Sequence, residues 1–149
     1  MDAEVYPDPE VAGFIREQFV PFRAHVKEQG EVFQRFGAEW TPTAIVADAD
    51  GTERHRFEGF LPKPDLLAQL RLGLAHAARA RHEYADAEKR YRELADGGGP
   101  EDIAAEAQYW AGVSRYKATN DPSGLTDTAK AFRERFANTT WAKKASVWS

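Results

Sequence analysis

Cysteine is missing from all 149 residues. That removes disulfides, thiolate nucleophiles and cysteine-based zinc sites from the chemistry open to this chain. It says nothing about redox compartment. Long apolar runs are missing too, and none approaches the ~18 residues that a membrane-spanning helix needs. Positive charge is not in excess: 20 Lys and Arg stand against 24 Asp and Glu, for a net charge of −4. The basic residues alternate with acids, as on solvated helix faces. A sequence-independent nucleic-acid binder needs a basic face, so neither nucleic acid nor membrane is an expected partner. His25, His55, His76 and His82 are dispersed and form no HExxH-like group. A structural or surface role is expected for each, with no metal and no cofactor. The first ten residues, MDAEVYPDPE, are acidic and lack the apolar region of a secretory signal. The expected compartment is the cytoplasm, which a true start upstream of Met1 would reopen.

What is present is the composition of a soluble globular protein, 42% apolar and 30% charged. At 149 residues it is large enough for one ordinary domain or two small units. Asp8 and Pro9 suit the cap and first position of a helix over residues 8–18, with Val11, Phe14 and Ile15 at helical spacing. Residues 19–26, Phe-Val-Pro-Phe-Arg-Ala-His-Val, read as a strand, and Pro21 places it at an edge or makes its start irregular. Glu28 to Phe36 reads as a short helix ended by Gly37. Then comes Gly37 to Gly59, GAEWTPTAIVADADGTERHRFEG. Thr41-Pro42-Thr43 precedes the apolar run Ala44 to Ala47. Asp48-Ala49-Asp50-Gly51 makes a turn, and the chain returns as a strand from Thr52 to Phe60. Asp-Gly between two strand-like runs is a strong hairpin signal, because Gly accepts positive φ without steric cost. A helix follows from Pro62, its stripe being Leu66, Leu67, Leu70 and Leu74, expected to pack on the sheet at its start.

The order helix, strand, helix, Thr-Pro loop, strand, hairpin, strand, helix resembles the thioredoxin fold over residues 5 to about 75. In that family a cis-proline precedes the third strand, and Trp40-Thr41-Pro42-Thr43 fits that loop, with Pro42 as the cis-proline. The resemblance implies one more strand at the front, lying between the second and third, followed by a Cys-x-x-Cys redox pair. Met1-Asp2 looks like the Met-acid pair that follows the motif in such proteins. The expectation is that residue 1 lies a few residues past the motif's place, through an internal start or through loss of the motif. Strands 19–26 and 43–48 then flank an open slot. Unpaired backbone groups facing it would cost ~1–3 kcal/mol each if buried. A second copy of the chain, a rearranged sheet or a disordered N-terminal half are the alternatives for that slot.

Residues 72–149 show no strand-like alternation and read as helices broken at Gly97-Gly98-Gly99-Pro100, at Asn120-Asp121-Pro122 and near Asn138. Small residues recur at Ala75, Ala87, Ala107, Ala111 and Gly112, and large ones at Tyr91, Tyr116, Phe132 and Phe136. This segment resembles tetratricopeptide repeats, about two of them and the start of a third at Trp141, whose pairs stack because one pair cannot bury its apolar face alone.

Other motifs favour plain readings. Asp48-x-Asp50-Gly51 lacks the further ligands of a calcium loop and is expected to be a turn. The glycine run before Pro100 lacks a following Lys-Ser/Thr, and Glu101-Asp102 would repel an anion, so it is a linker. No Ser-His-Asp set can be argued. The resulting fold class is α/β plus all-α: an incomplete thioredoxin-like mixed sheet over residues 1–72, then a tetratricopeptide-like helical segment over 73–149. The expected function is protein binding or scaffolding without catalysis, since thiol-disulfide exchange needs a thiolate. The alternative is the C-terminal remainder of a thiol-disulfide oxidoreductase, serving redox homeostasis, whose Cys-x-x-Cys lies upstream of Met1. The candidate sites are a peptide-docking loop at Trp40, Thr41 and Pro42 and a helical groove at Tyr109, Trp110 and Trp141. Trp40 serves equally well as a cap on the core. The expected partner is a protein or peptide, or a second copy filling the strand slot.

Overall fold

The computed structural model describes residues 1–149. Helices α1 (Pro9–Gln18) and α2 (Gly30–Arg35) lead to strands β1 (Thr43–Ala47) and β2 (Glu53–Glu58). Five helices follow: α3 (Lys63–Ala80), α4 (Tyr84–Asp96), α5 (Glu101–Thr119), α6 (Ser123–Arg135) and α7 (Thr140–Ala145), with a 3-10 turn at Ser146–Trp148. No helix is long and apolar enough to cross a membrane. The chain divides into two compact units: residues 1–44 with 56–63, and residues 45–55 with 64–149. The division runs through the hairpin and leaves α3 as one helix through residue 72.

In the first unit, α1 begins as its sequence dictates. The Asp8 carboxylate accepts from the backbone N–H groups of Glu10 and Val11, at 2.9 and 3.3 Å, and Pro9 supplies no donor to satisfy. Lys63 lies 3.0 Å from Asp8 and 2.7 Å from Glu10, and its hydrogen bond, with the backbone bonds, holds the Asp8 carboxyl below its usual value. Gly37, at φ +57°, turns the chain out of α2. Arg56 donates to the carbonyls of Phe36 and Gly37, satisfying groups at that helix end. The Thr41–Pro42 bond is cis. The Gly59 N–H donates to the Pro42 carbonyl at 2.8 Å, which fixes the base of the hairpin.

Residues 19–26 do not form the expected strand. A strand needs a neighbour for its backbone groups, β1 and β2 are paired with each other, and Pro21 has no donor to offer. Val20 and Phe22 are accordingly 98% and 72% exposed. The sheet is a two-stranded antiparallel hairpin and not the mixed sheet expected. The anticipated slot is therefore not filled by rearrangement within the chain.

The second unit carries most of the core. The hairpin turn closes with Gly51 at φ +84° donating to the Asp48 carbonyl at 2.9 Å. Over α3 the tip half of the hairpin approaches at Gly73, where an added Cβ would stand 2.7 Å from Val46 Cγ2. The contact shown is thus at the middle of α3, where the expectation placed one at its start. Ala68, Leu72, Ala75 and Ala78 of α3 pack with Ala87, Tyr91 and Leu94 of α4 and with Ile103, Ala107 and Ala111 of α5. The alanines let three helix backbones come close, and Tyr91 fills the space between them. At the next crossing, a Cβ on Gly112 would overlap Thr128 Oγ1 and stand 2.8 Å from its Cβ, so α5 and α6 meet backbone to side chain. One break has no Gly or Pro to announce it. Arg81 to Glu83 separates α3 from α4 through His82 at φ +63°, whose ring stacks on Tyr84 at 5.5 Å.

Candidate functional site

The second unit assembles the expected groove residues. Tyr109 and Trp110 are neighbours on α5, with ring centroids 5.2 Å apart and planes perpendicular. Trp141, from the first turn of α7, lies 5.2 Å from Tyr109 and 6.4 Å from Trp110. Trp148 of the terminal 3-10 turn stacks on Tyr109 at 4.7 Å. The spacing follows from local structure. Thr139 caps α7, its hydroxyl accepting from the Ala142 N–H at 3.2 Å, so Trp141 leaves the helix where α5 passes. Tyr109, Trp141 and Trp148 rest on a core of Ala104, Ala105, Phe132, Phe136 and Ala145, and each ring stays half-buried.

Two cations bracket this aromatic face. The Arg79 guanidinium carbon is 3.9 Å from the Trp110 ring centre, and Lys144 Nζ is 3.8 Å from that of Trp141. Contacts of this kind are worth ~0.5–1 kcal/mol each at exposed sites, and aromatic pairs ~0.5–1.5 kcal/mol beyond area burial. The face is half-buried and offers π-faces and cationic N–H donors.

Behind Trp110 lies a polar network that the sequence did not announce. His76, 8% exposed on α3, has Nδ1 2.6 Å from the Tyr91 hydroxyl and Nε2 3.1 Å from a Glu106 carboxylate oxygen. Arg79 Nε donates to the same Tyr91 oxygen at 3.2 Å. His55, on β2, stands with its ring 5.3 Å from His76 and its Nε2 2.6 Å from Gln69 Oε1. Burial pushes the Tyr91 hydroxyl up to about 12. Burial also holds the His55 imidazole below the ordinary histidine value, against the opposing effect of the Gln69 bond. For Glu106, burial pushes the carboxyl up, but hydrogen bonds from His76 and Trp110 and the charge of the histidines leave it lowered. The histidines are far apart in sequence and adjacent in space. The available signal was the pair of spacings His76–Arg79 and Glu106–Trp110, each one helical turn.

The docking loop of the first unit is placed differently. Trp40 is 66% exposed, so its ring does not cap the core. Its carbonyl accepts from the Thr43 hydroxyl at 2.7 Å, and Thr41 is exposed beside the cis bond. Asp48 and Asp50 serve the turn: Asp48 takes Arg54 at 2.5 Å and Arg81 at 3.2 Å, and Asp50 accepts from the Thr52 N–H at 2.9 Å. No group of three or more His, Asp or Glu converges on a common point as a metal site requires.

Residues 1–73 match the family model of the thioredoxin-like domain. Comparison with curated proteins and with solved structures gave no significant match.

Proposed function

We propose that this chain binds a protein or peptide and does no catalysis: a thioredoxin-like domain, residues 1–72, followed by a tetratricopeptide-like helical segment, residues 73–149. The observation that carries the reading is the aromatic face of Tyr109, Trp110, Trp141 and Trp148 between Arg79 and Lys144. Interfaces draw their affinity from a few large aromatic and Arg side chains, and this face supplies both. The repeat-like part of the reading is supported by full burial of Ala75, Ala87, Ala107 and Ala111 where helices cross, and by the close approach at Gly112. Trp40, Thr41 and Pro42 form the second contact loop, supported by the exposure of the Trp40 ring. A second copy is a partner that the exposed Val20 and Phe22 would suit.

Without a thiol these 149 residues have no means of disulfide exchange. In an insulin-reduction assay the expected rate is background, and turnover would overturn the non-catalytic half of the proposal. For the binding half, a peptide array is probed with the protein and with its Trp110→Ala and Trp141→Ala variants. The expected result is at least a tenfold loss of binding in a variant whose far-ultraviolet spectrum is unchanged. Equal binding by folded variants would remove the aromatic face from the proposal.

A second reading is favoured by the cis Thr41–Pro42 bond together with the family match over residues 1–73. In it the domain serves a thiol-disulfide oxidoreductase whose Cys-x-x-Cys is encoded upstream of Met1. Reading the upstream nucleotide sequence for an in-frame strand and Cys-x-x-Cys tests it.

A further inference from the structure

Residues 19–25, between α1 and α2, form neither helix, turn nor strand. Phe19 has extended backbone, at φ −134° and ψ 160°. In an extended segment successive residues aim their N–H and C=O groups at opposite edges. The two edges of this segment are unequal. On the first, Phe19 gives its N–H to the Ile15 carbonyl at 2.9 Å, and Pro21 has none to give. His25 on that edge donates to Gln29 Oε1 at 3.0 Å, and its carbonyl accepts from Glu28 and Gln29. Arg23 alone keeps both of its groups there. On the second edge Val20, Phe22 and Ala24 all keep theirs, with no partner inside the chain. The same edge residues carry the Val20 and Phe22 side chains, 98% and 72% exposed. One edge is closed, and the other is open and apolar.

We propose that the open edge pairs with itself: residues 20–24 of two copies lie antiparallel about a twofold axis at Phe22 and join the chains through backbone hydrogen bonds. This rests on the second-copy reading above and adds the edge and the register; the aromatic face has no part in it. Antiparallel pairing is isologous, so each copy gives what it receives. With the axis at Phe22, Val20 faces Ala24 and Phe22 faces its own counterpart. All three open residues then exchange both of their bonds, and their side chains share one face of the pair. An axis at Arg23 would set two like charges directly opposite, which is destabilising. An axis at Pro21 would set Ala24 against Gln18, which belongs to α1. The Phe22 axis also brings the turn carrying Lys27 and Glu28 beside the last turn of α1 in the other copy. There Lys27 counts toward Glu17 and Glu28 toward Arg16, opposite charges in both cases and all four exposed. A foreign extended strand is offered the same bonds, and the charge match is what selects a second copy. Residues 20–24 make a small interface of the weak, transient class, so dilute chains are monomers with Phe22 exposed.

The test is sedimentation equilibrium of the full chain at rising concentration. The expected result is a monomer that passes to a dimer. Ala24→Pro removes one donor from the open edge and should weaken association at least tenfold. Pro21→Ala adds a donor to the closed edge and should leave association within threefold. A monomer throughout overturns both the pairing and the second-copy reading, and a foreign extended peptide held by that monomer would name the other occupant. A dimer undiminished by Ala24→Pro, or tightened tenfold by Pro21→Ala, overturns the pairing and leaves the second-copy reading standing. Where a proline variant fails to fold, single thiols decide, since the chain has no cysteine of its own. Residues facing each other in a hydrogen-bonded pair lie ~5.5 Å apart at Cα, within reach of a disulfide. Under mild oxidation Phe22→Cys should therefore link into dimers at least tenfold faster than Arg23→Cys. Equal rates, or faster linking through Arg23→Cys, overturn the register.

Discussion

The two units distribute their apolar residues in opposite ways. The first unit buries Val5, Val11 and Phe57 and shows Val20, Phe22, Val26, Trp40 and Phe60 to solvent. The second buries Tyr91, Phe132, Leu72 and a run of alanines completely or nearly so, and shows only Val147 among large apolar side chains. Apolar content alone thus does not make a core. The second unit has helices that can face one another and small residues that let them close. The first has one helix of ten residues, one of six and half a hairpin, with no further strand to pair residues 19–26. Stability is concentrated where helices stack, and the exposed rings are concentrated where a sheet is narrow.

The sharpest way to break this contrast is to truncate one ring in each unit. Phe132→Ala should cost about 3–5 kcal/mol of unfolding free energy in urea, as for a fully buried ring. Phe22→Ala should stay within about 0.5 kcal/mol, as at other exposed positions. Comparable losses would mean that Phe22 is buried in solution by a partner, and sedimentation would then report a second copy. Next in size are the glycines. Gly112→Ala must push against Thr128, itself 3% exposed, and should cost about 1–3 kcal/mol by overpacking. Gly13→Ala, on α1 with nothing within 4 Å, should gain about 0.5–1 kcal/mol from helix propensity. Thermal midpoints moving in the same direction would contradict the contrast.

A smaller effect is set by pH. The His55 value is lowered in the folded protein, so its contribution is fully present above the ordinary histidine value near ~6.5. It is lost as pH falls below that toward the folded value. The Glu106 value is lowered too, which places a further loss at more acidic pH, as its carboxylate takes up a proton. Urea midpoints should therefore fall from pH 7.5 to pH 5.5 and again below pH 4.5, and His55→Gln should flatten the first fall alone. A further expected change is a gain. Ser114 is fully buried on α5 and its hydroxyl has no partner, so Ser114→Ala should stabilise by about 1 kcal/mol in the same titration.

The sequence was most legible where one residue type forces one backbone outcome. Asp8 with Pro9 marked the start of α1, Asp50-Gly51 the hairpin turn, and Thr41-Pro42 the loop with its cis bond. The breaks at Gly97–Pro100 and Asn120–Pro122 were likewise visible. What stayed hidden depends on partners distant in sequence. Residues 19–26 carry strand-like residues, and their fate was decided by the lack of a neighbour. The α3–α4 corner was hidden because Arg81, His82 and Glu83 are ordinary helix residues, and only the packing of both helices onto α5 makes the turn necessary. Tyr109, Trp110 and Trp141 lie close together, and Trp148 stacks on Tyr109 beside them. The His76 network was hidden because its members sit on four elements, each bland by itself.

The carboxylate of Asp48 ties the hairpin to the end of α3. It receives Arg54 from the returning strand and Arg81 from beyond the far end of α3. A slip of one residue in the pairing of β1 with β2 would carry every hairpin side chain to the opposite face. It would also pull Asp48 away from both guanidinium groups and drive Val46 off the notch at Gly73. Alignment of the two strands is therefore written partly in the helices, and lengthening the turn by a single residue would be felt at Arg81, 33 positions beyond Asp48.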